Sequence, residues 1–200
     1  LLCIVIIALI ALTACTPRKQ KIEQGEMRAF EAFFAANWES VSITPRKVRT
    51  QALLKMQEAK DSLVRHNYLA VASKTCLMSS DIDSARLLIR QIEDFTMKQP
   101  FSAQLADLKS ECYNMRGNVY ARTGYMDSAE VYFRKAYEQR MQGTKMEVVP
   151  DILMNLADAN NRLGKLDAGA AWYRRALILC DSLDIVSTKK PPIYYGLAQI

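Results

Sequence analysis

The chain has 200 residues, 50% hydrophobic and 24% charged, a composition ordinary for a sequence that folds around an apolar core. Its formal charge is +6, but the 27 basic residues are spread along the chain rather than gathered on one helix or face. Nucleic-acid binding is therefore not expected, and the basic excess reads as solvated surface.

Residues 1–14 form a continuous apolar run with no Asp, Glu, Lys, Arg or His. A bilayer span needs about 20 residues, so this run has the length of a secretory-signal core rather than of a membrane helix. It ends Leu12-Thr13-Ala14-Cys15. That ending resembles the lipobox of bacterial lipoproteins, and the resemblance implies cleavage before Cys15 and lipid on its thiol and amino group. Two or three acyl chains, each burying methylenes at about 0.8 kcal/mol, hold a protein firmly to a membrane. Residues 15–24 are polar and read as a tether. Their basic character favours a location facing the periplasm, on either the inner or the outer membrane of a bacterium. The first residue is Leu, and the last ten read as the start of another unit, so the sequence is expected to be a piece of a longer reading frame.

Residues 25–65 read as N-terminal helices. Met27, Phe30, Phe33, Phe34 and Trp38 fall at helical spacing and form one apolar stripe, expected to be core. Thr44 is a candidate N-cap, with Pro45 at the first helical position. The helix it opens is expected to run to about Val64, with His66 and Asn67 loosening the pattern. His66 is the one histidine and has no constellation of other catalytic residue types around it, so no catalytic role is expected. Cys76, Cys112 and Cys180 show no C-x-x-C spacing and read as small buried thiols rather than metal ligands. No cofactor is expected.

From residue 66 to residue 200 the chain repeats itself. Three stretches superimpose: Met78–Ala85, Arg122–Ala129 and Arg162–Gly169. Equivalent positions 80, 124 and 164 lie 44 and 40 residues apart, a spacing that marks a solenoid of stacked supersecondary units. Gly124 and Gly164 are placed to end one helix in the left-handed conformation, and Asp83, Asp127 and Asp167 to cap the next. Ala85, Ala129 and Gly169, then Ala136 and Ala176, are the small residues that let paired helices approach, against large partners such as Phe133 and Tyr173.

The series Gly117, Tyr120, Gly124, Ala129, Phe133, Ala136 resembles the signature of the tetratricopeptide repeat family, as does Ala157, Gly164, Gly169, Tyr173, Ala176. The units fall at about 66–99, 101–143 and 150–184, with a partial one from 191. The fold class implied is all-α, an α-solenoid of antiparallel helix hairpins. Intervals of 40 and 44 against the family's 34 imply longer helices or connections. The family further implies a protein or peptide ligand in a concave surface lined by the first helix of each pair. By position the lining residues are Asn114, Asn118 and Arg122, then Met154, Asp158, Asn161 and Arg162, with Lys74 and Met78 upstream. Asn118 matches one asparagine of the clamp that some members use for a peptide carboxylate. Position 114 has Asn in place of the lysine and positions 192 and 196 carry no basic pair, so such a clamp is not expected.

The chain has no Gly-rich phosphate loop, G-x-S-x-G or metal-ligand spacing, so the expectation is a non-enzymatic, lipid-anchored scaffold. Two other readings stay open. One is the periplasmic input region of a longer signalling protein. The other is a glycan-binding nutrient-uptake lipoprotein of the outer membrane, ranked last because Thr16-Pro17-Arg18-Lys19 lacks the segment such proteins carry after the lipid cysteine.

Overall fold

A computed structural model describes residues 2–183 and 190–200, with side chains from residue 20 onward. The thiol of Cys15 and the predicted unit end at residue 184 lie outside the described residues. The described residues form helices and no strand. In order they are α1 (Leu2–Asn37), α2 (Ser40–Ile43), α3 (Pro45–Glu58), α4 (Ser62–Met78), α5 (Ile82–Met97), α6 (Ala103–Arg122), α7 (Met126–Arg140), α8 (Val149–Arg162), α9 (Leu166–Ser182) and α10 (Lys190–Ala198). A short 3-10 turn, Met146–Val148, precedes α8. No helix among the described residues is long and apolar enough to cross a membrane.

Helices α4 and α5, α6 and α7, and α8 and α9 pair as antiparallel hairpins, and each second helix packs on the first helix of the next pair. The result is a one-dimensional stack, and its core is accordingly three overlapping clusters rather than one centre. The first runs from Phe30 to Ala72, the second from Leu69 to Val119 and the third from Ala129 to Ile193. Along the stack α4 also touches α6, and α8 touches α10, whereas α6 and α8 pack on each other as little as the second helices do.

The three hairpin turns share one geometry. Ser80, Gly124 and Gly164 have φ of 58°, 87° and 74°, all left-handed. The next residue's N–H then closes a bond to the carbonyl five residues back: Asp81 to Cys76, Tyr125 to Tyr120 and Lys165 to Asn160, each 2.9 Å. This satisfies a carbonyl that the helix end would otherwise leave open. Ser80 adopts a backbone that L side chains disfavour by about 1–2 kcal/mol. Ser80→Gly is accordingly expected to raise stability by about 0.5–1 kcal/mol, and Gly124→Ala to lower it by about 1 kcal/mol, in urea melts. Equal melts for all three proteins would refute a shared left-handed turn.

Several local expectations need correction. Asp83 does not cap α5; Asp81 does, its carboxylate accepting from Ser84 N at 3.2 Å, while Asp83 sits one position inside the helix. Asp127 and Asp167 likewise lie within the first turns of α7 and α9, whose cap positions, Tyr125 and Lys165, make no side-chain cap bond. The aspartates act on the helix dipole, not on a single N–H. Thr44 occupies the N-cap position of α3, but its hydroxyl donates back to Ser40 O at 3.4 Å instead of accepting. The helix expected to reach Val64 ends at Glu58. Asp61 accepts from Val64 N at 2.8 Å and starts α4 there, so His66 and Asn67 are helical. His66 stacks on Phe95 with ring centroids 3.8 Å apart, and partial burial lowers its pKa below the usual range.

The small-against-large pattern is realised in the hairpins. Ala85, Ala129, Ala136 and Ala176 are fully buried. Gly117 is in contact with the Phe133 ring so closely that a Cβ there would lie 2.5 Å from it. Cys76, Cys112 and Cys180 are buried in α4, α6 and α9.

Candidate functional site: the inner face of the first helices

Residues on α4, α6 and α8 fall into rows repeated at the 44- and 40-residue intervals of the turns. Asn67, Glu111 and Asp151 make the first row; Ala70, Asn114 and Met154 the second; Lys74, Asn118 and Asp158 the third; Met78, Arg122 and Arg162 the fourth. Steps of three and four residues keep each helix's members on one side of it. A cavity of about 290 Å³ is lined by the whole first row, by Ala70 and by Lys74. The cavity thus takes in the first row of all three helices, reaches the second and third rows only on α4, and leaves out the fourth.

The floor of that hollow is a polar clasp. Asp107 on α6 and Arg140 at the end of α7 are both buried, with Arg140 2% exposed, and Arg140 Nη1 meets Asp107 Oδ1 at 2.8 Å. Arg140 Nε donates to Ser110 Oγ at 3.1 Å, and Ser110 donates to Ala136 O at 2.8 Å. Asp107 also accepts from Thr144 N at 3.0 Å, from Thr144 Oγ1 at 2.6 Å and from Lys145 N at 3.3 Å. Gly143 passes over it, and a Cβ there would lie 2.0 Å from Asp107 Oδ1. Residues 141–148, the connection between α7 and α8, are part of what stretches the interval to 40, and Asp107 ties them down. They deliver Lys145, Glu147 and Val148 to the cavity wall.

The opposite wall comes from α1. Phe30, Phe34 and Trp38 line the cavity from that side. Phe30 and Phe33 pack edge-on against Tyr68 of α4, at 5.0 and 5.3 Å between centroids. Trp38 is 46% exposed rather than core, and Lys74 Nζ lies 4.4 Å from its ring centroid. α1 itself runs unbroken through the leader, the segment read as a tether and the predicted stripe.

The residues picked out from sequence occupy the remainder of the face. Asn114 Oδ1 accepts from Asn155 Nδ2 at 2.8 Å, which bridges α6 to α8. Asn118 donates back to Asn114 O at 2.9 Å, and Arg122 Nη1 donates to Leu77 O at 2.8 Å, linking α6 to α4. Asp158 accepts from the Tyr173 hydroxyl, whose pKa is raised by burial and by that bond. Asn161 turns its carboxamide oxygen onto Gly169, and no donor reaches it. Met154 packs against the C-terminal core cluster, and Arg162 is exposed in the last turn of α8. None of these residues lines the cavity: Asn114, Asn118 and Arg122 are bonded within and between α4, α6 and α8, and Asp158 and Asn161 are engaged with α9. Asp107, Arg140 and the α1 aromatics were not singled out by repeat position. Their partners lie in an inserted connection and in a helix that precedes the repeats. Among the described residues no group of three or more His, Cys, Asp or Glu is placed to hold a metal ion.

Paired helices stacked on shared apolar faces define an all-α solenoid. Residues 110–140, most of α6 and all of α7, match the family model described as Tetratricopeptide repeat. Repeats of this kind serve as scaffolds for protein interaction. No curated protein matches the chain.

Proposed function

We propose that this protein is a scaffold fixed to a bacterial membrane by lipid on Cys15, facing the periplasm, and binding a protein or peptide along the inner face of α4, α6 and α8. The observation that carries the binding half is the coincidence of rows. Residues related by the repeat intervals recur at matching positions of α4, α6 and α8, and one cavity takes in the whole first row together with Ala70 and Lys74. Beyond the cavity the same helices carry amide and guanidinium groups at Asn114, Asn118 and Arg162, and within it Ala70 and Val71 give an apolar stretch beside the Asp107–Arg140 clasp. Such a mixture suits a peptide, whose backbone needs polar partners and whose side chains need apolar ones. The ending Leu12-Thr13-Ala14-Cys15 supports the anchor.

One paired experiment tests both halves. Cys15→Ser is expected to leave the protein unlipidated, with its leader uncleaved, while crosslinked capture of its partner persists. Asn118→Lys with Arg162→Glu is expected to leave lipidation and the melting temperature unchanged while capture falls at least ten-fold. Normal processing of the Cys15→Ser protein would refute the anchor. Undiminished capture by the double variant would refute the groove.

A further inference from the structure

The N-terminal helix sits in the groove on a pattern of its own. Glu26, Phe30 and Phe34 are spaced by four residues along α1, and Trp38, one more step on, follows just after the helix ends at Asn37. The carboxylate of Glu26 accepts from Lys60 N at 3.0 Å and from Asp61 N at 2.8 Å, at the start of α4. Phe30 meets Tyr68 one turn further along, and Trp38 lies beneath Lys74 further still, so α1 runs parallel to α4 down the inner side. From the far side Lys145 reaches back, its Nζ 5.8 Å from the Phe30 ring centroid and 4.0 Å from Glu31. α1 packs on α4 in preference to α3, so it is not the first member of a hairpin with α3.

The seat is occupied but not filled. A cavity of about 290 Å³ remains between the stripe and the rows of α4, α6 and α8. Phe34 is half-buried and Trp38 largely open. Beyond Phe30, Phe33 keeps an edge-on contact with Tyr68 and Phe34 packs on the N-terminal cluster, while Trp38 is held by a cation–π contact and Glu31 by a long ion pair, each weak where solvent reaches it.

We propose that Glu26–Trp38 is a built-in occupant of the groove, exchangeable for a partner of the same chemistry: an amphipathic helix with aromatic side chains four residues apart and an acid one turn before them. This rests on the inner face being the binding surface, and it adds that α1 must leave for the partner to enter. Occupancy by α1 lowers apparent affinity in proportion to the fraction of time it is docked.

The probe is a fluorescein-labelled peptide of residues 26–39, added to the full chain and to a Phe34→Ala, Trp38→Ala variant. Trp38 is exposed and Phe34 packs only on the rim of the N-terminal cluster, so a Trp38→Ala single variant is carried alongside, and circular dichroism is expected to match for both. The peptide is expected to bind the variant roughly ten-fold more tightly, as it would if α1 were docked about nine-tenths of the time. In a Trp172→Phe background Trp38 is the protein's sole tryptophan, and its emission is expected to shift to the red as an unlabelled peptide with Phe in place of its own tryptophan is added. Equal affinity for the two proteins, or binding to neither, overturns the proposal. The groove reading is judged separately: loss of partner capture by Asn118→Lys with Arg162→Glu upholds it even if the peptide fails.

Discussion

Asp107→Ala is expected to lower stability by about 3–5 kcal/mol, because it leaves the Arg140 guanidinium buried without its carboxylate. For a chain of this size that is on the order of 10 °C in melting temperature. The loss is a desolvation effect more than a lost attraction. Arg140 is 2% exposed and cannot swing to water, and Glu111 at 3.8 Å is too far to replace the hydrogen bond. Thr144 and Lys145 lose their acceptor in the same stroke, so the α7–α8 connection loosens as well. A double-mutant cycle separates the causes. In an Arg140→Met background the same Asp107 substitution should cost far less, since no charge is stranded. A cost below about 1 kcal/mol for Asp107→Ala in the wild-type background would show that the clasp does not hold the floor of the groove.

Phe133→Ala is expected to cost about 3–5 kcal/mol, the range for removing a buried ring from a packed core. Phe133 is buried on α7 and lies against Gly117 of α6. The pair also makes a prediction of sign. Gly117→Ala gains up to about 1 kcal/mol of helix propensity, yet its methyl would sit 2.5 Å from the ring, and overpacking costs typically 1–3 kcal/mol. Gly117→Ala should therefore destabilise the wild-type chain and stabilise the Phe133→Ala chain. Urea melts of the four proteins decide it, and a stabilising Gly117→Ala in the presence of Phe133 would mean that the hairpin is looser than described.

The parts of this fold legible from residues alone are those that recur. Gly124 and Gly164 identify their turns by needing a left-handed backbone, and alignment carries the same geometry to Ser80. Ala129, Phe133 and Ala136 announce a close helix pair because their sizes alternate at helical spacing. What stayed hidden is what happens once. The Asp107–Arg140 clasp joins residues 33 apart in sequence through a connection without periodicity. The cap of α5 was misplaced because Asp81 and Asp83 are both acids near the same helix start. Alignment with Asp127 and Asp167 selected Asp83, although those residues do not cap either. Periodicity marked Phe30, Phe34 and Trp38 as an apolar stripe but is silent on what a stripe faces. For that reason the far wall of the groove could not be read from the chain. Among the groove residues, spacing put Asp158 and Asn161 on the inner surface, whereas Tyr173 and Gly169 draw them toward α9.

The three hairpin corners share one left-handed backbone geometry, while the described joints between hairpins differ in length. Variation is thereby channelled into one kind of position. Lengthening a joint leaves every corner, and hence the mating of each helix pair, as it was. In the α7–α8 joint the extra residues set Lys145, Glu147 and Val148 over the hollow beneath. An array of this design can change what lines its cavity by trading joint segments, without reopening the problem of how to fold.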